Sequence, residues 1–378
     1  MRNSLLRMSL CVMGLWMSAS IHAQSDSILF EGGYRNFIVH LPTGYNPSVS
    51  YPLVLSFHGL TSNAFQQQLY TGMDAVADTG GFILVYPNGI NSSWNVNEAT
   101  TPHDIDFTSS LIDSLSAKYS INPACVYACG MSNGGFFSYL LACRLSHKLA
   151  AIASITGNML ANFESNCTPV KGMPVMEIHG TSDPVVSYNG GNGILSTPET
   201  VKWWVDNNLC DTTAIVSSLP DINTTDGSTV EVFRYLNGKD NSEVVHYRVN
   251  NGGHTWPGGT LVVPFVGSTN MDFSASTTIW NFFKSYCSVI SSTEEVTENY
   301  RMDVYPNPAS SGFQIKLSEL PQTDTHFVVY DALGRIVMQK MVNEVSTHIQ
   351  RGTLNRGIYF WQLERVDKVL NRGKIVLE

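Results

Sequence analysis

One short stretch constrains the fold more than any other part of the sequence. An apolar run at residues 125–129 leads into the pattern G-x-S-x-G at residues 130–134, and a helical pattern follows at residues 136–145. A serine between a buried strand and a helix stands on a turn so tight that only small side chains fit around it. We therefore expect Ser132 to project above a sheet edge, beside helix N–H groups that can stabilise a developing negative charge.

Continuous apolar runs alternate with helical patterns through most of the chain. The runs that we predict as strands lie at residues 51–57, 82–86, 125–129, 150–156 and 173–178, and the helical patterns at residues 66–77, 104–119, 136–145, 199–208 and 277–286. An alternating segment at 27–40 predicts an early antiparallel strand, and 232–235 and 244–249 predict two late strands. Strands that are apolar throughout are typical of parallel sheets covered on both faces. The sequence thus predicts an α/β fold, with a mostly parallel sheet flanked by helices.

Two further polar residues follow predicted strands of this sheet. Asp183 comes after the strand at 173–178, and His254 follows the strand at 244–249 in a glycine-rich loop. In open α/β sheets the working residues gather at the carboxyl ends of the strands. Serine, aspartate and histidine stand here in the chain order of the α/β-hydrolase triad. We predict Ser132 as nucleophile, His254 as its base and Asp183 as the residue that orients the imidazole.

Other acids could orient the histidine. Asp206 lies in the helical stretch 199–208 and Asp221 in a loop before the late strands, so Asp183 is preferred. His58 and His179 each end a predicted strand, and we interpret both as structural.

The transition state needs two N–H donors for its oxyanion. One is expected from Asn133, the residue after the nucleophile, and one from the loop after the early strand, at Leu60 or Thr61. Trp94 in a polar loop and Trp256 in the histidine loop are predicted to line the substrate pocket. No C-x-x-C motif is present, and the sequence predicts neither a metal nor a cofactor.

The amino terminus has the features of an export signal. Arg2 and Arg7 make the first residues basic, an apolar run follows at residues 8–17, and small residues lead to Ala23. We predict a secretory signal peptide at residues 1–23, because the apolar run is too short to span a membrane. The chain would then be secreted or held at the cell surface after export through the periplasm. Its formal net charge of −9 argues against nucleic acid as a partner.

Export permits disulfides among the six cysteines beyond the signal. Cys125 and Cys129 lie too far apart on one extended strand to bridge each other. We predict the pairs Cys210–Cys287 and Cys143–Cys167, which leaves the two strand cysteines as small buried hydrophobic side chains.

The last quarter of the chain differs from the rest. Residues 288–302 are rich in Ser, Thr and Glu and predict a linker after a catalytic domain at 24–287. From residue 303 onward, short alternating segments separated by Gly, Asp and Asn predict a small antiparallel β-sandwich at 303–378.

Several motifs between residues 32 and 287 resemble one family of secreted esterases, which comprises polyhydroxybutyrate depolymerases together with feruloyl and acetylxylan esterases. The motifs are YPLV with HG at 51–59, GFI with YP at 81–87, GMSNGG at 130–135, HG with DPV at 179–185, and GHTWPG at 253–258. The resemblance implies the same triad and a Cys210–Cys287 disulfide. This chain departs from the family at residues 103–107, where HDIDF replaces the usual DDVGF.

The tail resembles the C-terminal sorting domain of type IX secretion. The matching motifs are VYPNP at 304–308, YDALGR at 330–335 and GIYF at 357–360. The resemblance implies that residues 303–378 bind outer-membrane secretion machinery rather than substrate.

Four functions are compatible with these features. The leading hypothesis is a serine esterase without a cofactor that cleaves esters linked to polysaccharides, such as feruloyl or acetyl esters, in polymers or oligomers. A depolymerase of polyhydroxybutyrate or another polyester is the alternative, and a serine peptidase is a weaker one. A carbohydrate-binding protein on a hydrolase fold is the non-enzyme alternative, although such a protein would be expected to have lost part of the triad.

Overall fold

The structure of the chain is a computed structural model. It describes residues 23–97, 100–163, 166–259, 261, 263–287, 302–318, 325–331, 336–365 and 368–378. The predicted signal peptide, up to residue 22, and the predicted linker, up to residue 301, lie outside these residues. The chain divides into two compact units between residues 289 and 290. Among the described residues, no helix is both long and apolar enough to cross a membrane.

The first unit is built on a ten-stranded sheet. Its strands are β1 (Ala23–Phe30), β2 (Gly33–His40), β3 (Tyr51–Phe57), β4 (Ile83–Pro87), β5 (Ile121–Met131), β6 (Ala151–Ile155), β7 (Val175–Gly180), β8 (Ile215–Ser218), β9 (Thr229–Tyr235) and β10 (Val244–Asn250). Their order is β1-β2-β4-β3-β5-β6-β7-β10-β9-β8. Six neighbours in this order, β4, β3, β5, β6, β7 and β10, pair in parallel. Antiparallel pairs complete both edges, so the prediction of a mostly parallel sheet is confirmed.

Helices cover both faces of this sheet. They are α1 (Ala64–Thr71), α2 (Met73–Gly80), α3 (Asp104–Lys118), α4 (Asn133–Arg144), α5 (Thr197–Asn208) and α6 (Ala275–Phe283). Single 3₁₀ turns occur at Ile90–Ser92, Ala161–Phe163, Lys239–Asn241 and Lys284–Tyr286. Buried residues of α3, α4 and α5 belong to one hydrophobic cluster, and those of α1, α2 and α6 to a second.

The sequence of the central strands explains why two clusters form. In β3, Leu53 and Leu55 belong to the cluster with α3, α4 and α5, whereas Val54 belongs to the other. The same alternation in β5 sends Ala128 to the first cluster and Tyr127 to the second. Because successive side chains point to opposite faces, a strand covered on both faces must be apolar at every position.

The second unit is an all-β sandwich. One sheet contains three strands in the order β11 (Met302–Tyr305), β12 (Gly312–Leu317) and β15 (Ser346–Gln350). The other contains β14 (Ile336–Met341), β13 (Thr325–Tyr330), β16 (Gly357–Arg365) and β17 (Lys368–Leu377), in that order. All pairs within the two sheets are antiparallel, and side chains from both form one core that includes Phe313, Phe327 and Leu363.

One predicted disulfide is present and the other is wrong. Cys143 pairs with Cys167, but Cys287 pairs with Cys125, at a Cα separation of 4.7 Å. Cys210, like Cys129, is a buried free thiol. The reason lies in the two faces of the sheet. Cys210 follows α5 and joins the cluster on that face, whereas Cys287 follows α6 and packs against the opposite cluster, which contains Cys125.

We predict that this pairing is visible in thiol counts. Residues 24–378, unfolded without reductant, should react with two equivalents of a thiol reagent, from Cys129 and Cys210. Cys210→Ala should lower the count to one. If Cys210 were instead bonded to Cys287, the same substitution would release Cys287 and raise the count to three.

Cys287→Ser should reduce the free energy of unfolding by about 2 to 5 kcal/mol, because it opens a long cross-linked loop. Urea unfolding of the two variants checks this difference.

Candidate active site

Ser132 stands at the turn between β5 and α4. Its backbone angles are φ 54° and ψ −120°. Residues other than glycine rarely adopt this backbone conformation, and those that do are often found at functional sites. The turn is tight because a carbon atom added at Gly134 would lie 2.3 Å from the carbonyl oxygen of Phe57. One added at Gly130 would lie 2.4 Å from that of Gly134. The two glycines of the motif are therefore required by the close approach of backbone to backbone.

Asp183 and His254 are brought together by the loops after β7 and β10. His254 Nδ1 lies 2.7 Å from Asp183 Oδ2, and both residues are buried. The loops are joined directly, because the Ser182 N–H donates to the Gly252 carbonyl at 3.0 Å. Asp183 Oδ1 accepts the N–H groups of Val185 and Val186 at 2.7 and 2.8 Å.

These donors keep the Asp183 carboxylate charged. Burial opposes the charge, but hydrogen bonds from His179 and His254 prevail and hold the pKa of the carboxyl well below its usual range. The alternatives that the sequence left open lie elsewhere. Asp206 is exposed on α5 beside Lys202, and Asp221 is exposed in its loop.

A cavity of about 650 Å³ contains both Ser132 and His254 in its lining. Most of its walls are apolar, and four of the apolar side chains are also exposed at the surface: Leu60, Val185, Leu261 and Val263. Met131 and Val266 add to the apolar wall, and Gln67 and Tyr70 supply polar groups. The site is therefore suited to an acyl or alkyl group rather than to a charged ligand.

The backbone around Ser132 offers two N–H groups. In the described part of the chain, neither the Leu60 N–H nor the Asn133 N–H donates to another residue. The Thr61 N–H, by contrast, donates to the Ser92 carbonyl at 2.8 Å. Of the two residues that the sequence proposed in this loop, only Leu60 retains an available donor.

His58 shapes this loop from within the core. Its Nε2 accepts the Gly89 N–H at 3.0 Å, and its Nδ1 lies 2.7 Å from the Gly59 carbonyl oxygen, so the ring is a neutral bridge between two backbone segments. Burial lowers its pKa. These contacts agree with its interpretation as a structural residue.

Trp94 does not line the cavity, so the prediction of a substrate contact is wrong. The side chain is 1% exposed, stacks on Phe137 and donates Nε1–H to the His58 carbonyl at 3.0 Å. Its backbone instead forms two hydrogen bonds with the Asn133 side chain. The Trp94 N–H donates to Asn133 Oδ1 at 2.6 Å, and Asn133 Nδ2 donates to the Trp94 carbonyl at 3.0 Å. Trp94 thus fixes the residue after the serine, and does so from the core.

Trp256 is likewise not a pocket wall. It is fully buried, and its Nε1–H donates to Ser276 Oγ at 3.0 Å at the start of α6. Its backbone N–H donates to the hydroxyl of Tyr70, which does line the cavity. The indole therefore anchors the histidine loop to the helix layer, where its large apolar surface is covered.

The unusual segment at residues 103–107 also has a structural role. Asp104 is buried and accepts Arg35 Nη2 at 2.7 Å and the Asn95 N–H at 2.7 Å, which holds the segment that follows Trp94. Burial raises the pKa of Asp104 despite the nearby guanidinium. Asp106, the acid that departs from the family pattern, is exposed.

A buried polar chain behind Asp183 was missed by the sequence reasoning. Tyr139 of α4 donates to Glu177 Oε2 at 2.7 Å, and Glu177 Oε1 lies 2.9 Å from His179 Nδ1. His179 Nε2 lies 2.9 Å from the Val186 carbonyl oxygen and 3.4 Å from Asp183 Oδ2. A single acid within the apolar run of β7 was the available signal, because a lone buried carboxylate requires partners.

Comparison with known proteins assigns families to both parts of the chain. Residues 36–225, half of the chain, match the family model described as Esterase PHB depolymerase. Residues 303–378 match the model of the Secretion system C-terminal sorting domain.

The relatives named below are 27% to 32% identical to this chain. "Putative esterase NocK" of Nocardia uniformis subsp. tsuyamanensis is 29% identical over 61% of this chain and 73% of its own length. Feruloyl esterase B of Piromyces equi is 27% identical over 61% of this chain. The bifunctional acetylxylan esterase/xylanase XynS20E of Neocallimastix patriciarum is 32% identical over 44% of this chain. The chain spans 45% and 24% of the lengths of these last two.

Among solved structures, an acetyl xylan esterase from Aspergillus awamori matches with a TM-score of 0.48 and 15% identity, over 61% of this chain and 94% of its own. The family assignment depends on the sequence match instead, which runs from within β2 to beyond β8 and includes the serine turn. The chain belongs to the Esterase PHB depolymerase family of carboxylic ester hydrolases and carries a secretion-system sorting domain at its carboxyl end.

Proposed function

We propose that this protein is a secreted serine esterase in which Ser132, His254 and Asp183 form the catalytic triad. One observation carries the assignment: the imidazole that is hydrogen-bonded to a buried carboxylate at 2.7 Å lines the same cavity as the serine of the strained turn. A binding protein without activity would have no need for a strained serine beside an oriented histidine.

In the acylation step, Ser132 Oγ attacks the carbonyl carbon of the ester while His254 Nε2 takes the hydroxyl proton. Asp183 fixes the tautomer by accepting the Nδ1 proton and stabilises the imidazolium. The negative charge that develops on the carbonyl oxygen is received by the N–H groups of Asn133 and Leu60. The C–O bond then breaks, and the alcohol leaves with the proton from His254.

Deacylation repeats the sequence with water. His254 takes a proton from water, the hydroxyl attacks the acyl carbon, and the same N–H groups receive the oxyanion. Collapse returns the proton to Ser132 Oγ and releases the carboxylic acid. Apart from the ester and water, each step uses only groups of this chain.

The cavity supports esters of a bulky acid. Its volume of about 650 Å³ far exceeds what an acetyl group would fill and leaves room for an aromatic acyl group of the feruloyl type. Its mainly apolar walls suit such a group. The relatives named feruloyl esterase favour the same class. We propose a feruloyl ester linked to polysaccharide as the substrate.

A polyester is the second candidate, because the mouth of the cavity is itself apolar. Leu60, Val185, Leu261 and Val263 line the cavity and are each more than two-fifths exposed, so an aliphatic chain could lie across them. The family also includes depolymerases of polyhydroxybutyrate by its description.

The sorting domain supports export to the exterior. We infer that residues 1–23 direct the chain to the periplasm and are then removed, and that residues 303–378 engage an outer-membrane secretion complex. The ester substrate and this complex are the two partners that we propose.

We predict that Ser132→Ala lowers kcat/KM for 4-nitrophenyl acetate by about 10⁴-fold or more, because the nucleophile is lost. Asp183→Asn should lower kcat by about 10³ to 10⁴-fold, because the imidazole is no longer held in the required tautomer. A fluorophosphonate probe should label one site in the wild type and none in Ser132→Ala.

Asp206→Asn is the matched control, since this acid is exposed on α5 and lies outside the cavity. It should hydrolyse the ester at the wild-type rate. Folded wild-type protein that takes up no probe, or Ser132→Ala protein that retains activity, would contradict the proposed triad.

We predict that methyl ferulate is hydrolysed with a higher kcat/KM than methyl acetate, because the larger acid fills the apolar cavity. Chromatography of the released acids measures both rates, and feruloylated xylan fragments and polyhydroxybutyrate film serve as polymeric substrates. Release of 3-hydroxybutyrate without release of ferulate would favour the second candidate. Equal rates for both methyl esters would show that the cavity does not recognise the acid.

A further inference from the structure

A chain of three buried side chains reaches Asp183 from the side opposite to His254. It runs from Tyr139 through Glu177 and His179, all of which are fully buried. Placing a carboxyl group and an imidazole in an apolar core is unfavourable unless each is fully hydrogen-bonded. The chain ends on the oxygen atom of Asp183 that also accepts His254.

The hydrogen bonds of His179 indicate where its protons lie. Its Nε2 lies 2.9 Å from the Val186 carbonyl oxygen, which can only accept, so Nε2 carries a proton. Its Nδ1 lies 2.9 Å from Glu177 Oε1, so one proton must lie between these two atoms. Burial raises the pKa of the Glu177 carboxyl group, but Tyr139 donates to its other oxygen. This favours a carboxylate that accepts twice and an imidazolium that donates twice.

The charged groups around His179 are consistent with a positive ring. Glu177 and Asp183 are within 3.4 Å of its nitrogens, and Tyr188 contacts the edge of the ring. On β10, Arg248 is the register neighbour of His179, but its guanidinium pairs with Glu231. Burial opposes a charge on His179, but the bonds to Asp183 and Glu177 prevail and raise its pKa to about 9.

We propose that His179 is a positioning residue of the site, a buried imidazolium that shares Asp183 Oδ2 with His254 and thereby extends the activity of His254 as a base toward lower pH. The inference rests on the proposed triad. A second positive charge at Asp183 weakens the stabilisation that this carboxylate gives to protonated His254. Removing the charge of His179 should therefore raise the pH at which the esterase reaches its full rate.

The test is the pH dependence of kcat/KM for 4-nitrophenyl acetate in the full chain. In His179→Gln, an amide can still donate to the Val186 carbonyl, but the charge is gone. We expect the acidic limb of the profile to move to higher pH by about 0.5 to 1 unit, while the rate on the plateau changes little. Glu177→Gln should move the limb in the same direction, because a buried imidazolium without its counter-charge loses its proton. The double variant should move it no further, since the two residues act as one unit.

His246→Gln is the matched control. His246 is a buried histidine beside the same cluster, with Nδ1 3.3 Å from the Glu177 carbonyl oxygen and Nε2 3.0 Å from the Tyr188 hydroxyl, but it has no contact with Asp183. Burial lowers its pKa to about 3, so it contributes no charge in the working range. Its replacement should reduce thermal stability and leave the limb unmoved.

A measurement without turnover separates this inference from the proposed function. In protein with ¹⁵N-labelled histidine, the His179 ring should be protonated on both nitrogens at neutral pH and His246 on one. A neutral His179 would overturn the proposal, and so would a folded His179→Gln variant whose limb coincides with that of the wild type. The triad is tested independently by the loss of activity and of probe labelling in Ser132→Ala.

Discussion

The site depends on how closely α4 approaches the end of β3. Gly134 sits against the carbonyl groups of Phe57 and His58, with no room for even one additional carbon. This contact forces Ser132 into its unusual backbone conformation and sets the first turn of α4 beside the loop that carries Leu60. His58 and Trp94 then brace that loop and the residue after the serine through backbone hydrogen bonds. The geometry is thus imposed by packing of the main chain, and the surrounding side chains maintain it.

On the other side of the cavity, the site depends on the hydrogen-bond donors and charges around Asp183. Four N–H donors surround the Asp183 carboxylate, two from its own loop and two from histidines. A carboxylate that is buried among so many donors does not take up a proton near neutral pH. The cost of burying it is met within the core by a line of groups that alternate in charge, with Glu177 balancing His179. The two ends of the site are therefore held by different means, backbone contact at the serine and paired charges at the aspartate.

Much of this could be predicted from the sequence, because the relevant signals are local. Apolar runs identified the parallel strands, and the ends of those strands identified Ser132, Asp183 and His254 as neighbours. The errors concern distant partners. The sequence shows that Cys210 and Cys287 each follow a helix, but not that the helices lie on opposite faces of the sheet. Trp94 and Trp256 lie in polar or glycine-rich loops, yet both indoles turn into the core, which depends on neighbours far away in the chain.

The Cys125–Cys287 disulfide has a mechanical consequence. It fixes the last described residue of the first unit to β5, a central strand with parallel neighbours on both sides. Tension applied to the chain beyond residue 287 is carried into the middle of the sheet and does not peel α6 away from its end. The sorting domain follows this point in the chain, so the disulfide joins the residue before the predicted linker to a strand with hydrogen-bonded neighbours on both sides.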